Sequence, residues 1–180
     1  MSQLKDLLID GLLKTADNRF FMPDQTLKSL MTELNIKKTL LESGTNPEDI
    51  PSAWAEAKGP GMKCFAILVR IGHPRLFVQF IENGVLDQYL PIDKTGHGAF
   101  AEFIANEVPS EFFIVQYEYL APLFTKNQIQ KRLPDQFPLP FLKESQIYSG
   151  GYGTIYKVSL SSKHQGLVPN PSGDVGTLIA

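Results

Sequence analysis

Apolar side chains recur every three or four residues through much of the chain, which is the spacing of amphipathic helices. The first set predicts a helix that ends near Ala16, and it consists of Leu4, Leu7, Leu8, Leu12 and Leu13. Later sets predict one helix that starts at Pro23, one that starts near Asn35, and a short one within residues 52–58. Proline suits the first turn of a helix, because its missing N–H would have no partner there. The fold class that this pattern indicates is mainly α.

Residues 62–72 form the most apolar segment, and their pattern alone does not separate a strand from a helix. Their β-branched content suits a buried strand, whereas their length suits a buried helix. We favour a helix, because the neighbouring segments are helical and Gly72 is a natural C-terminal stop.

The remaining helical patterns complete one domain. A helix is predicted over residues 74–84 and two more over 99–108 and 111–124, although residues 113–115 would also suit a strand. We therefore expect residues from about 4 to 124 to fold as one mostly helical domain. Its expected core includes four side chains on neighbouring helices, Phe65, Leu68, Phe77 and Phe80.

The character of the sequence changes after residue 130. Three prolines within residues 131–142 predict a semi-rigid extended linker. Residues 143–160 contain a glycine cluster followed by alternating apolar positions, which is the pattern of a β-hairpin. Residues 161–180 are rich in Ser, Gly and Pro without a period, which predicts a disordered tail. The predicted organisation is thus a helical leader domain at 1–130, a linker, a short hairpin and a tail.

Composition and charge argue against several classes of protein. Apolar residues make up 43% and charged residues 20% of the chain, so a packed core can form. The net charge of −2 argues against a nucleic-acid-binding protein, which needs a surplus of Lys and Arg. The longest apolar run, at 64–69, is far shorter than the ~20 residues of a membrane helix, and the N-terminus does not resemble a signal peptide. Together with the single cysteine, Cys64, these features predict an intracellular protein of the cytoplasm or nucleus, with no membrane or nucleic-acid partner.

The polar side chains of the leader have structural explanations. Cys64 lies in the most apolar segment, so we expect a buried, inert thiol. His73 and His97 have no Cys or His at metal-ligand spacing, and we assign no metal site. Asp87 and Asp93 flank a Leu-Pro turn, where caps of helices are expected rather than acid–base catalysts.

The glycine cluster has the pattern of a phosphate-binding loop. Residues 147–158 read Ile-Tyr-Ser-Gly-Gly-Tyr-Gly-Thr-Ile-Tyr-Lys-Val. Protein kinases open with a strand, a Gly-x-Gly-x-x-Gly loop and a second strand that carries a valine. The glycines let backbone amides face the ATP phosphates, and the valine packs on the adenine. In this register Tyr148 replaces the first glycine, and the candidate ATP-contacting residues are Ile147, Gly150, Gly151, Tyr152, Gly153 and Ile155.

Four further segments carry a resemblance to a known family. They are Arg-Phe-Phe-Met-Pro at 19–23, Lys-Cys-Phe-Ala-Ile-Leu-Val-Arg-Ile-Gly at 63–72, Phe-Ile-Glu-Asn-Gly-Val-Leu-Asp-Gln-Tyr-Leu-Pro at 80–91, and Leu-Pro-Phe-Leu at 139–142. Together with the glycine cluster they resemble the leader and first strands of filamentous-fungal Ser/Thr protein-kinase-like proteins, in the family's order. The resemblance covers about residues 19–164. It implies that the hairpin corresponds to the first two strands of a protein-kinase N-lobe and that ATP is the ligand.

The elements that a kinase needs for catalysis are missing from the sequence. We find no Val-Ala-Ile-Lys strand, no His-Arg-Asp loop and no Asp-Phe-Gly motif, so nothing holds the phosphates and Mg²⁺ for phosphoryl transfer. We expect this chain to be inactive alone and to bind ATP weakly, with Mg²⁺ relevant only in a full-length kinase. One interpretation is a fragment or truncated product of a kinase-like protein, whose leader is regulatory or protein-interacting. The other is a free-standing helical adaptor with an incidental glycine hairpin.

Overall fold

Helices form most of the N-terminal part of the chain in the computed structural model. The structure describes residues 3–95, 100–125, 134–151, 153–167 and 176–179. Its helices are α1 (Gln3–Asp10), α2 (Asp24–Leu30), α3 (Glu33–Glu42), α4 (Ile50–Lys58), α5 (Met62–Ile71), α6 (Phe77–Glu82), α7 (Ala101–Glu107) and α8 (Phe112–Val115). Short 3₁₀ turns lie at Pro74–Leu76, Asp87–Tyr89, Gln116–Tyr119 and Ser162–His164. The predicted fold class, mainly α, is confirmed, and none of the described helices is long and apolar enough to cross a membrane.

Helix α5 is the centre of the core. Every side chain from Cys64 to Val69 is buried, which explains why its sequence is apolar on all sides. The helix ends at Gly72 in the left-handed region (φ 88°), where a glycine costs no steric strain. The choice of helix over strand is therefore confirmed. All four predicted core residues, Phe65, Leu68, Phe77 and Phe80, are fully buried.

Asp87 caps α5 from a distant part of the chain. Its carboxylate accepts hydrogen bonds from the backbone amides of Lys63 (2.9 Å) and Cys64 (2.9 Å), which have no partner inside the helix. The residue before the helix, Gly61, cannot supply a side-chain cap. A Cβ at Gly61 would lie 2.8 Å from Cζ of Phe77, so close packing excludes a capping side chain there. The expectation that Asp87 is a cap is confirmed, and burial raises its pKa against the opposing effect of these hydrogen bonds.

The first predicted helix is shorter than expected. Helix α1 ends at Asp10, and strand β1 (Leu13–Lys14) then pairs antiparallel with β2 (Phe20–Phe21). The turn between them is built by Thr15, whose hydroxyl donates to the carbonyl of Arg19 (3.0 Å) and accepts from its amide (2.9 Å). Such local side-chain bonds compete with helix formation, and they end the helical pattern here.

The last predicted helix of the leader also ends early. Helix α8 passes into a 3₁₀ turn that stops at Tyr119, and an extended segment leads to strand β3 (Phe124–Thr125). Pro122 explains the difference, because a proline lacks an N–H and disfavours helical geometry in the residue before it. The buried side chain of Gln116 fixes the turn by bonding both the amide (2.7 Å) and the carbonyl (3.0 Å) of Ile92.

The C-terminal part of the chain contains a three-stranded antiparallel sheet. Its strands are β4 (Phe141–Gly150), β5 (Gly153–Leu160) and β7 (Gly176–Ile179), in the order β4-β5-β7. Strand β6 (Gln165–Gly166) instead pairs in parallel with β3. A hairpin was expected at 143–160, and it begins slightly earlier, at Phe141.

The prediction of a disordered tail at 161–180 is corrected for part of that segment. Residues 161–167 form a 3₁₀ turn and strand β6, and residues 176–179 form β7. The pairing partners, β3 and β5, lie elsewhere in the chain, so the local composition gave no sign of them. Residues 131–133 of the predicted linker and 168–175 of the tail lie outside the described residues.

Candidate functional site

His164 anchors the segment after the hairpin to the helical domain. This side chain is buried, and its ring packs edge-on against Phe21 with centroids 5.3 Å apart. The Asp24 amide, at the start of α2, donates to Nδ1 (3.1 Å). Because Nδ1 accepts, Nε2 carries the proton and donates to the carbonyls of Ala121 (3.0 Å) and Pro122 (3.2 Å). Both nitrogens are therefore used by a neutral imidazole, and burial lowers the pKa of His164.

Two further contacts hold the base of the hairpin. The carbonyl of Phe141, the first residue of β4, accepts from the Ala16 amide (2.7 Å) in the turn after β1. The Phe141 ring stacks on Phe124 with centroids 5.7 Å apart. In the segment before β4, the carbonyl of Asp135 accepts from the Arg19 guanidinium (2.7 Å). The hairpin thus leaves the helical domain from a fixed base.

The two faces of the hairpin differ in exposure. Side chains alternate along a strand, so Tyr156, Val158 and Leu160 of β5 share one face. Val158 and Leu160 are buried, whereas Tyr156, nearer the glycine turn, is 39% exposed. This face, which we call the buried face, is therefore covered at the base of the hairpin and not along its whole length. The opposite face, which we call the open face, is formed by Ile155, Lys157 and Ser159 of β5 with their partners on β4, Tyr148, Ser145 and Lys143.

The glycine turn lies at the exposed end of this hairpin. Gly150 pairs with Gly153, so two residues join the strands, as in the shortest hairpin loops. Gly153 has φ 144°, a conformation that residues with a side chain rarely adopt. The neighbouring Ser149 and Thr154 hydroxyls are 3.2 Å apart and link the strands across the end of the ladder.

Tyr148 lies against the glycine turn. A Cβ placed on Gly150 would meet Oη of Tyr148 at 2.8 Å and its Cε1 at 2.9 Å. Residues two apart on a strand share a face, which explains why the ring can reach over Gly150. A side chain at position 150 would therefore displace this exposed ring.

The sequence-predicted site residues fall in different surroundings. Ile147 lies at an irregularity between the pairs formed by Gln146 and Tyr148, where the regular pairing is interrupted. It is 54% exposed, whereas Tyr148 and Ile155, which face each other on the open face, are 61% and 42% exposed. The structure brings together Gly150, Gly151, Gly153 and Ile155 around one turn, and Tyr152 lies outside the described residues.

Sequence reasoning missed three side chains of this region. Lys143 and Lys157 lie on the open face, which carries no carboxylate among its described residues, whereas Glu144 lies on the buried face. Strand alternation counted from Ile155 would have identified Lys157. His164 had no local signal, because its partners are about 40 and 140 residues away.

Other features of the surface lie on the helical domain. Leu34 and Leu41, seven residues apart on α3, are 74% and 57% exposed. A cleft of about 1090 Å³ lies between the C-terminal parts of α3 and α5, and its lining mixes cationic and acidic side chains, including Lys5, Arg75, Glu42 and Glu82. Within the described residues, no group of three or more His, Cys, Asp or Glu side chains could hold a metal ion.

Comparison with protein-family models, with curated proteins and with solved structures finds no match to this chain.

Proposed function

We propose that this chain combines a helical leader with the opening strands of a kinase-like small lobe, which binds ATP weakly and does not catalyse phosphoryl transfer by itself. The observation that carries the proposal is the β4-β5-β7 sheet, in which a glycine turn joins the first two antiparallel strands and a third strand follows. A protein kinase uses these parts to cover ATP and to hold its phosphates.

The position of Ile155 supports the nucleotide interpretation. In the kinase pattern the residue two positions after the last glycine packs on the adenine. Here that residue is exposed on the open face, while Val158 and Leu160 are buried on the other face. The helical leader would therefore support the sheet from its base and leave the nucleotide face uncovered.

The third strand supports the proposal further. Strand β7 pairs antiparallel with β5, and Ile179 lies opposite Lys157. Kinase strand three has the pattern Val-Ala-Ile-Lys, and its lysine contacts the α- and β-phosphates. Ile-Ala at 179–180 is similar to the first two residues of this pattern, and the lysine of the pattern is not among the residues of this sequence. When residues 179–180 are aligned with Val-Ala of this pattern, the lysine would be the second residue after Ala180.

Sequencing the messenger RNA beyond the codon for Ala180 tests this proposal. We expect an apolar residue and then a lysine in frame, followed further on by His-Arg-Asp and Asp-Phe-Gly motifs. A stop codon directly after Ala180 in every transcript would refute the kinase-like interpretation.

The second candidate function is a free-standing helical adaptor. It is favoured by the exposed Leu34 and Leu41, which form an apolar stripe on α3 flanked by Lys37 and Lys38. Single exposed leucines are common on protein surfaces, whereas two on one helical face form an apolar surface of the kind that protein partners contact. In this case the double variant Leu34→Gln, Leu41→Gln would abolish partner binding.

A further inference from the structure

The ring of Tyr148 lies over Gly150 on one side of the glycine turn. In the glycine loops of kinases, glycine lets the ligand approach the backbone closely. Here the Tyr148 ring lies over Gly150, since a Cβ there would be only 2.8 Å from Oη and 2.9 Å from Cε1. A phosphate cannot occupy the same side of Gly150 while the ring stays in place.

An apolar surface remains on the open face beside this ring. Tyr148 and Ile155 are cross-strand partners and both are exposed. An aromatic ring next to a branched aliphatic side chain suits a flat heteroaromatic ligand, because base-on-aromatic stacking is sequence-tolerant and favourable.

Positive charge continues along the same face towards the base of the sheet. Lys157 lies two residues from Ile155, a separation of about 7 Å along the strand. Lys143 is paired with Ser159, and it therefore lies about 13 Å from Ile155 along the strand direction. The only carboxylate on the described part of β4 and β5, that of Glu144, lies on the opposite face of the strand, where it is exposed. Apolar surface and positive charge are thus arranged in line.

We infer that the open face holds a nucleotide along the strands, with its base on Tyr148 and Ile155 and its phosphates on Lys157 and Lys143 rather than under the glycine turn. This inference rests on the proposed nucleotide-binding function and specifies how the ligand lies on the site. The ligand class is a nucleoside triphosphate, recognised through a flat ring and an extended anionic chain. The glycines then serve the turn and the packing of Tyr148, and the lysine side chains take over the contact with phosphate.

Amide-resolved NMR titration of the whole chain with ATP and with adenosine, both without Mg²⁺ and at low salt, tests the inference. Exposed ion pairs are weak and are screened by salt, so we expect ATP to bind only about three- to fivefold more tightly than adenosine. The amide signals that change on titration should belong to residues of the open face, from Tyr148 to Lys143. The variant Lys157→Gln should reduce the preference for ATP over adenosine, and the double variant Lys143→Gln, Lys157→Gln should abolish it, while adenosine binding should not change.

A matched control is Lys38→Gln, which removes the same charge from helix α3, where the Lys38 ammonium lies 3.9 Å from the Glu42 carboxylate. It should leave the preference for ATP intact. In Tyr148→Gly the Gly150 backbone becomes accessible, so the preference for ATP should persist and depend less on Lys157.

The possible failures are distinguishable. If ATP preference survives in Lys157→Gln and Lys143→Gln, with shifts centred on Gly150 and Gly153, the phosphates lie under the glycine turn and the inference is wrong, although the proposed function stands. If neither ATP nor adenosine at about 10 mM changes the amide signals of open-face residues, the nucleotide site itself is refuted. Lysine-dependent binding of an oligouridine at least tenfold tighter than ATP would instead identify a platform for single-stranded nucleic acid and overturn the inference.

Discussion

Protonation of His164 should loosen the attachment between the hairpin segment and the helical domain. In the neutral ring Nδ1 accepts from the Asp24 amide, and a proton on Nδ1 would place two donors against each other. The charged groups near the ring do not reverse this effect. The Asp24 carboxylate and the carbonyls of Ala121 and Pro122 raise the pKa, whereas burial and Lys63 lower it, and burial has the largest effect. The ion pair of Asp24 with Lys28 (2.6 Å) also engages that carboxylate.

The direction of the pH dependence follows from the lowered pKa. An unfolded histidine has a pKa of about 6.5. Below that pH the unfolded state binds a proton that the folded state does not, so the free energy of unfolding falls as the pH decreases towards the folded pKa. One proton gives a slope of at most about 1.4 kcal/mol per pH unit. Above pH 6.5, Nδ1 makes one hydrogen bond and the single proton on Nε2 is shared between two carbonyls. At roughly 1 kcal/mol for each ring nitrogen, His164 contributes about 2 kcal/mol.

Urea denaturation of the wild-type chain and of His164→Gln between pH 5 and pH 8 measures this contribution. Glutamine cannot be protonated, so the stability advantage of the wild type should be about 2 kcal/mol at pH 8 and should shrink below pH 6.5. The matched control is His73→Gln, which removes an exposed imidazole next to α5 and should keep the wild-type profile. If the wild type and His164→Gln lose stability in parallel below pH 6.5, the neutral histidine is not what fastens the segment.

Two other predictions concern the helical core, and both are measured by urea denaturation. Asp87→Ala should lower the free energy of unfolding by about 2–3 kcal/mol, because two amides of α5 lose a charged acceptor, while Asp87→Asn retains an acceptor and should cost less. A loss in Asp87→Ala no larger than the roughly 0.5 kcal/mol of a surface substitution would show that the carboxylate does not stabilise α5. Phe77→Ala should cost about 3–5 kcal/mol, since the ring is fully buried and packs on Phe65 with centroids 5.1 Å apart. A loss no larger than that of Phe20→Ala, which truncates an exposed ring, would contradict this role.

The helical part of the fold was predictable wherever the local pattern and the stop signals agree. Residues 62–72 are continuously apolar and end in a glycine, and the structure has a buried helix that closes at Gly72. Leu34 shows the limit of periodicity. Its spacing from Leu27, Leu30 and Met31 predicts that it continues the apolar stripe of the helix that starts at Pro23. The structure instead ends that helix at Leu30 and places Leu34 in α3, where it is exposed while Ile36 and Leu40 are buried. Spacing identifies a helix more reliably than it identifies the buried side when apolar residues occur on both sides.

The parts that were not predictable depend on contacts between distant residues. The turn that ends the first helical pattern is stabilised by Thr15 and Arg19, two polar residues whose spacing carries no periodic signal. Strand β7 and His164 lie in a segment whose composition indicates disorder, and they are ordered by partners far away in the sequence. Of the candidate site, the glycine hairpin was predictable from its residues. The position of the Tyr148 ring over Gly150 depends on the side-chain conformation of Tyr148, which has no signal in the sequence.

The contacts of His164 with the helical domain can form only late in synthesis of the chain. The Asp24 amide and the histidine that accepts its hydrogen bond are 140 residues apart. At about 5–20 residues per second a ribosome needs roughly 7–28 s to make that stretch. For this time α2 has emerged without its acceptor, and Phe21 lacks the ring that packs against it. The nascent helical domain is therefore exposed to chaperones or to premature association at the edge formed by β2 and α2, until the residues after the hairpin arrive.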